Sequence, residues 1–472
     1  MTRMGDPRRG LPSVDQLLSN PTGVALSSRW GRESVARALR EVLEKTRSDL
    51  AGSTAVAAAV PDSDSLLRSA GEMLERRSSN GLRPVLNGTG VVLHTNLGRA
   101  PLPPAALANL AEVGRGYANL EYDLRNGERG GRDQHCVERI CRLTGSDDAL
   151  IVNNTAAAIA LVVSELANRR HVVVSRGELV EIGGAFRLPG IVSASSGVLV
   201  EVGTTNRTRP SDYRDAIGPE TALLMKVHRS NFRIQGFTEE VSLEEVVAIG
   251  RAAGVPVVHD LGSGFLLSGR IPGLPPEPAP RDSVTAGADL TLWSGDKLLG
   301  GPQSGVIHGR HDLVQRLRQN PLRRAFRVGK MTLSALESTL SLYENPELAL
   351  QTIPALARLR ESAAEVTQRA ERMRDRVDDH LRSRVHVVSM QSLVGGGTFP
   401  GAVLESAGWS LDAPAERLDA LCRGAETPLI GRIEKDRFLI DFRTLAPGDG
   451  DERAAAVISR ALAELPAVEA RG

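Results

Sequence analysis

Between about Pro84 and Gly309 the chain alternates short β-branched runs with stretches of helical period, and this alternation fixes the class of fold. Ala149-Leu-Ile-Val152 is followed by a helix-period segment from Ala156 to Leu166, then by His171-Val-Val-Val174. Val198 to Val202, Ala222 to Val227, Pro256 to Asp260, Leu290 to Trp293 and Ser304 to Ile307 continue the series, with a predicted helix at Leu243 to Ala253. Runs without polar alternation belong to strands buried on both faces. The pattern predicts an α/β fold with a mixed, mostly parallel sheet covered by helices. Ligands in such sheets bind beyond the carboxyl ends of the strands, so chemistry is sought just after each run.

The flanks read differently. Residues 1–80 form a predicted helical domain. Leu11-Pro-Ser13 is a helix start, Arg32 to Leu43 and Ser63 to Leu74 carry apolar residues at helical spacing, and Ser48 to Ser65 is the connection. Residues 81–345 are then the catalytic domain. Residues 346–472 are a small α+β domain, entered through one long predicted helix from Ala355 to Leu381. Within it Val385 to Met390, Gly401 to Leu404 and Phe438 to Phe442 read as strands, and Pro414 to Arg423 and Asp451 to Leu465 as helices.

Composition narrows the function. A net charge of +1 excludes an indiscriminate polybasic coat for nucleic acid, though not a local basic patch. Aromatic residues make up only 3%, which argues against a platform for stacking single-stranded bases. Cys136, Cys141 and Cys422 are odd in number and lack C-x-x-C spacing, so neither a disulfide framework nor a cysteine zinc site is expected. The N-terminus has no apolar signal region, and the longest obvious apolar run, Ala156 to Val163, is too short to span a bilayer. A soluble protein of the reducing cytoplasm is expected, with no membrane partner. Lys+Arg total 58, yet only Lys45, Lys226, Lys297, Lys330 and Lys435 are lysines, leaving 53 arginines. Arginine does not form Schiff bases, so an enzyme using a lysine amine has five candidates here.

Three strand-end features supply a chemistry. Asn153-Asn154-Thr155-Ala156-Ala157-Ala158 turns from strand into helix with small residues, and the N–H groups of a helix start attract phosphate. By itself such a turn is weak, since many bind nothing. His259-Asp260-Leu261-Gly262-Ser263-Gly264 ends an apolar strand in a carboxylate. An acid there either holds a pyridine nitrogen protonated or merely caps a turn. Ser294-Gly295-Asp296-Lys297 precedes a glycine-rich turn and fits the S-x-x-K pattern of pyridoxal-phosphate enzymes. In that pattern the lysine forms the Schiff base and the serine reaches the cofactor phosphate. About 105 residues separate the turn from the acid, and 37 separate the acid from the lysine.

Longer strings carry a specific resemblance. They are Asn87 to Pro101, Tyr117 to Arg125, Gly127 to Arg132, Ser175 to Gly184, Val202 to Asn206, Lys226 to Asn231, Ser294 to Lys297 and Arg324 to Lys330, together with Leu11 to Leu18 near the start. On these the chain resembles the bacterial selenocysteine synthases, the L-seryl-tRNA(Sec) selenium transferases. These are fold-type I pyridoxal-phosphate enzymes of the aspartate aminotransferase-like architecture. No motif position departs from the family pattern; the stretch from about Ala51 to Asp64 is not diagnostic.

The resemblance implies pyridoxal 5′-phosphate as cofactor, Lys297 as its Schiff-base lysine, and Asp260 as partner of the pyridine nitrogen. Thr155, Ala156 and Ser294 would hold the cofactor phosphate. Arg99, Arg324 and Arg327 match the family's cationic pocket for selenophosphate, a role that suits forked guanidiniums. Seryl-tRNA(Sec) would be the substrate, converted by β-elimination of the serine hydroxyl and addition of selenium. The N-terminal domain would bind the tRNA, and subunits would form a homo-oligomer, a ring of dimers (a decamer). His94 and His228 are possible ring or substrate contacts, or simply buried histidines. Lys226 ends a strand near the site, and Lys330 is either a phosphate contact or an exposed helix-start residue. Arg129 and Arg132 would serve a neighbouring subunit or RNA phosphate. His308 and His311 have H-x-x-H spacing without a third ligand, so no metal is expected. Two other readings stand beside this one: a related lyase acting on a small amino acid or amino-sugar acid, and a tRNA-binding module without activity. The helical N-terminal region and the Arg324/Arg327 pair speak against the first, and the intact Lys297, Asp260 and Ser294 against the second.

Overall fold

In the computed structural model, residues 10–52, 60–78, 80–182, 186–267 and 271–466 are described. The last two glycines of the Ser175 to Gly184 string and part of the expected connection from Ser48 to Ser65 lie outside them. The chain divides into two compact units between Pro84 and Val85.

The first unit is helical, with helices Val14–Ser19, Pro21–Trp30, Arg32–Gly52 and Ser63–Ser78. Ser13 starts the first by a capping box, its hydroxyl accepting from the Gln16 N–H while the Gln16 side chain accepts from the Ser13 N–H. The two expected helices are found and run longer, to Gly52 and Ser78, so the connection begins later than Ser48. Their apolar stripes meet in a core of Leu17, Val35, Leu39, Leu43, Leu66 and Leu67.

The second unit is built on a seven-stranded sheet. Its spatial order is Asp148–Val152, Gly305–Gly309, Leu290–Ser294, Val257–Gly262, Thr221–Val227, His171–Ser175 and Val198–Val202. All are parallel except Gly305–Gly309, which is antiparallel to both neighbours. The period of two sends alternate residues to opposite faces. Leu150 and Val152 pack under the helix Thr155–Leu166, whereas Ala149 and Ile151 join a core with Trp293 and Leu299 on the other side. With helices on both faces, the strands are buried almost throughout, which is why they were readable as apolar runs, except that the edge strand Val198–Val202 keeps Val198 and Glu201 exposed.

A second sheet of five strands runs in the order Arg432–Glu434, Arg437–Asp441, Val403–Leu411, Val385–Gly395, Val91–Leu93. The last of these comes from before the catalytic residues and pairs parallel, Val91 opposite Leu393. Leu86–Asn87 likewise pairs with Leu429–Ile430. Two expectations need correction here. The strand expected at Gly401 to Leu404 runs instead over Val403–Leu411. Its small and polar residues are buried because Ser406 donates to Asp441 at 2.7 Å, and because Gly408 lets the Ile440 carbonyl approach where a Cβ would stand 1.9 Å away.

The single long helix expected from Ala355 to Leu381 is broken into Pro354–Arg360 and Ala363–Arg374. Ser362 caps the second half with Glu365 in a capping box. The buried Arg443 guanidinium donates to the Arg358 and Glu361 carbonyls, at 2.8 and 2.6 Å, which an unbroken helix would have bonded itself.

Candidate active site

The turn after Asp148–Val152 is held in three ways. The Asn153 N–H donates to the Phe326 carbonyl at 2.9 Å, the Asn154 side chain caps the helix by accepting from the Ala157 N–H at 2.9 Å, and the Thr155 hydroxyl lies 2.6 Å from that of Ser294. Thr155 and Ala156, as the first residues of a twelve-residue helix, have N–H groups without intrahelical acceptors. Two hydroxyls and a helix start thus converge on one spot, a cradle for a dianion.

Asp260 lies near the end of Val257–Gly262, the strand beside Leu290–Ser294; it is buried, and its Oδ1 has no hydrogen-bond partner. Burial pushes its pKa up to about 6, against the pull of Lys297 and His228. Lys297, on the turn after Leu290–Ser294, is only 4% exposed. Burial, and then the charge of Arg99, push its amine down, while Asp260, Asp296 and Glu277 oppose them. Arg99 sits in the left-handed region at φ 61, unusual for a side-chain-bearing residue, with its N–H on the His94 carbonyl at 3.1 Å. That conformation sends its guanidinium to Asp296 at 2.9 Å.

These residues line one cavity of about 190 Å3, with Asn154, Gly262, Asp296 and Gln303 completing its wall. The donor set fits pyridoxal phosphate: a buried amine whose pKa is pushed down, a carboxylate oxygen without a partner, and a phosphate cradle of two hydroxyls and a helix start. Lys297, Asp260, Thr155, Ala156, Ser294 and Arg99 are all brought together.

Arg324 and Arg327 do not line this cavity. Arg324 is exposed on the short helix Leu322–Phe326, and Arg327 lies 3.8 Å from Glu121. Partial desolvation and the guanidiniums of Arg132, Arg324 and Arg323 push the Arg327 pKa down, the mark of crowded positive charge. The segment adjoins the cavity through the Asn153–Phe326 hydrogen bond. Arg132 is forked onto Glu121 at 2.9 and 2.7 Å and also donates to the Val328 carbonyl, and Arg129 reaches the same carboxylate.

Of the remaining candidates, the two lysines have structural partners, whereas His94 Nδ1 and both ring nitrogens of His308 are buried without a hydrogen bond. Lys226 donates to Glu178 and the Val241 carbonyl, and Lys330 ties the Val113 and Gly116 carbonyls; neither lines the cavity. His308 is buried against Trp293 and pushed down to about 3, while His311 is exposed and 3.2 Å from Asp148. Reading along the sequence missed Glu277 and Gly397, both at the site. A Cβ on Gly397 would stand 2.5 Å from the Lys297 Nζ. No local motif marks either residue.

A mostly parallel sheet with a strand-end acid, a buried lysine after the next strand and a small-residue phosphate turn defines a fold-type I pyridoxal-phosphate enzyme. The solved structure of D-glucosaminate-6-phosphate ammonia-lyase shares this fold at a TM-score of 0.58 and 21% identity, covering 82% of this chain and 99% of that one. Residues 85–446 match the L-seryl-tRNA selenium transferase family, and residues 8–47 match the selenocysteine synthase N-terminal family. An L-seryl-tRNA(Sec) selenium transferase of Moorella thermoacetica is 45% identical over 457 residues, 95% of this chain and 96% of its own. One from Geobacter metallireducens is 45% identical over 461 residues, 96% and 98% of the two chains. The chain belongs to the L-seryl-tRNA selenium transferase family, and its cofactor is pyridoxal 5′-phosphate. The lyase alternative is not favoured, since that likeness extends to the fold alone.

Proposed function

We propose that the protein converts L-seryl-tRNA(Sec) to L-selenocysteinyl-tRNA(Sec), replacing the serine hydroxyl with selenium from selenophosphate. The observation that carries this reading is the convergence of Lys297, Asp260, Thr155, Ala156, Ser294 and Arg99 on one cavity in a chain matched along nearly its whole length by transferases of that name. Pyridoxal phosphate, when bound, supplies an electron sink for charge developing at the serine Cα.

The protein's residues do the rest. Thr155, Ala156 and Ser294 anchor the phosphate. Asp260, whose Oδ1 has no partner of its own, would hold the pyridine nitrogen and keep its proton in place. Lys297 Nζ, whose pKa burial pushes down, takes the Cα proton as general base and returns a proton to the leaving hydroxyl. Arg99, with Arg324 and Arg327 beside the turn, binds the anionic selenium donor. The burial of Lys297 would limit the access of water to the reacting carbon. The N-terminal helical unit holds the tRNA, subunits assemble as a ring of dimers, and the reaction takes place in the cytoplasm, where charged tRNA is found.

The test is incubation of the cofactor-loaded protein with selenophosphate and either seryl-tRNA(Sec) or seryl-tRNA(Ser). Selenocysteine should form on the first RNA alone; conversion of neither would remove the proposal.

A further inference from the structure

Glu277 lies in the loop before the helix Pro280–Ala286, between Asp260 and Ser294 in sequence. Its side chain is only 1% exposed. One oxygen, Oε2, accepts from the Phe399 N–H at 3.2 Å. The other, Oε1, stands 3.5 Å from His228 Nε2, and neither of those two atoms has a hydrogen bond. A buried carboxylate with one oxygen unbonded is costly unless something nearby uses it.

Both of its neighbours reach the active site. His228 follows the strand beside Asp260 and donates its backbone N–H to the Asp260 carbonyl at 2.8 Å. Phe399 ends the loop that begins at Gly395, and its own backbone is in the left-handed region at φ 42, a strained state for a bulky residue. Its ring is pinned edge-on against Phe265, with centroids 6.0 Å apart. Two residues earlier, Gly397 (φ 85) presses its backbone against the lysine, leaving no room for a methyl group beside Nζ or Cε.

We propose that Glu277 is a positioning residue. It spans from the strand-end His228 to the Gly395–Phe399 loop, holds that loop in its strained turn, and so clamps Gly397 against the Lys297 amine. The clamp confines the amine to the side of the cavity facing Asp260. The charged groups around the amine are Arg99, Asp260, Asp296 and Glu277 itself, so loosening the loop also alters their balance.

This inference rests on Lys297 as the cofactor lysine, and its test avoids turnover of RNA altogether. The pH midpoint of the bound cofactor's absorbance and the rate of cofactor loss on dilution are measured for the full-length holoenzyme. Glu277→Ala should lose cofactor about tenfold faster, whereas Glu277→Gln, whose amide oxygen still accepts from Phe399, should stay within about threefold of the parent. The alanine variant should also move the absorbance midpoint by about half a pH unit or more. Gly397→Ala, which alters the clamp from the loop side and does not depend on Glu277→Ala folding, should move the midpoint as well. Parent-like midpoints in Glu277→Ala or Gly397→Ala would overturn the clamp, as would equal loss of cofactor from the alanine and glutamine variants. A parent protein that never develops cofactor absorbance would instead overturn the assignment of Lys297, and the clamp with it.

Discussion

Lys297 and Asp260 are a pair whose environments disfavour charge on both, a lysine pushed down and an acid pushed up to about 6 by the same burial. Replacing the lysine removes the only amine in the cavity among the described residues. Lys297→Ala is expected to abolish the bound cofactor's Schiff-base absorbance together with activity, read by spectrophotometry and the transfer assay; retention of both would refute the assignment. Asp260 makes a prediction about the protein without cofactor. Its folded pKa lies above the unfolded value, so from about pH 4 to about 6 the folded chain keeps a proton that the unfolded chain has lost. Stability from this group therefore falls as pH rises through that window, by at most about 3 kcal/mol. Asp260→Asn should flatten that dependence in denaturation curves of cofactor-free protein between pH 4 and 7, and an unchanged slope would contradict the buried, partnerless carboxylate. The serine, the acid and the lysine were legible because each follows an apolar run. Glu277 and Gly397 were not, because what defines them is closeness to Lys297 across 20 and 100 residues of chain, with no pattern in between.

At the scale of elements, legibility followed burial. Strands enclosed on both faces read as apolar runs, and the helix Leu243–Ala253 was placed residue for residue because its Ser242 cap and its apolar stripe agree. Val403–Leu411 was misplaced because Glu405, Ser406, Gly408 and Ser410 dilute its apolar signal, and their compensation by Asp441 and by backbone approach is tertiary. The break at Ser362 was missed for a related reason. Arginine- and glutamate-rich helical sequence runs straight through it, and the force that ends the first helix comes from Arg443, more than 80 residues on. The serine still contributes. Ser362→Ala should lower stability by about 1 kcal/mol in denaturant titration, and Ser362→Asp, which restores a cap, should recover most of it. An alanine variant as stable as its parent would mean that Arg443 alone fixes the break.

For the whole molecule, the small net charge excludes only an indiscriminate coat, and a structured tRNA read by shape needs only local patches. Every described residue of the cavity belongs to the unit that begins at Val85, and the helical unit before it has a core of its own. A chain started at Val85 should therefore fold and take up cofactor with its normal absorbance, while failing to convert seryl-tRNA(Sec); failure to bind cofactor would show that the site needs the helical unit.

The pairing of Val91 with Leu393, and of Leu86 with Leu429, also dictates an order of events during synthesis. The strand Val91–Leu93 leaves the ribosome about 300 residues before its partner, which at about 5–20 residues per second means waiting roughly 15 to 60 s. Lys297 emerges well before Gly397, the residue that closes over it. The nascent chain thus passes through a stage in which the amine is made but its cover is not, and a tightly held cofactor belongs to the finished chain.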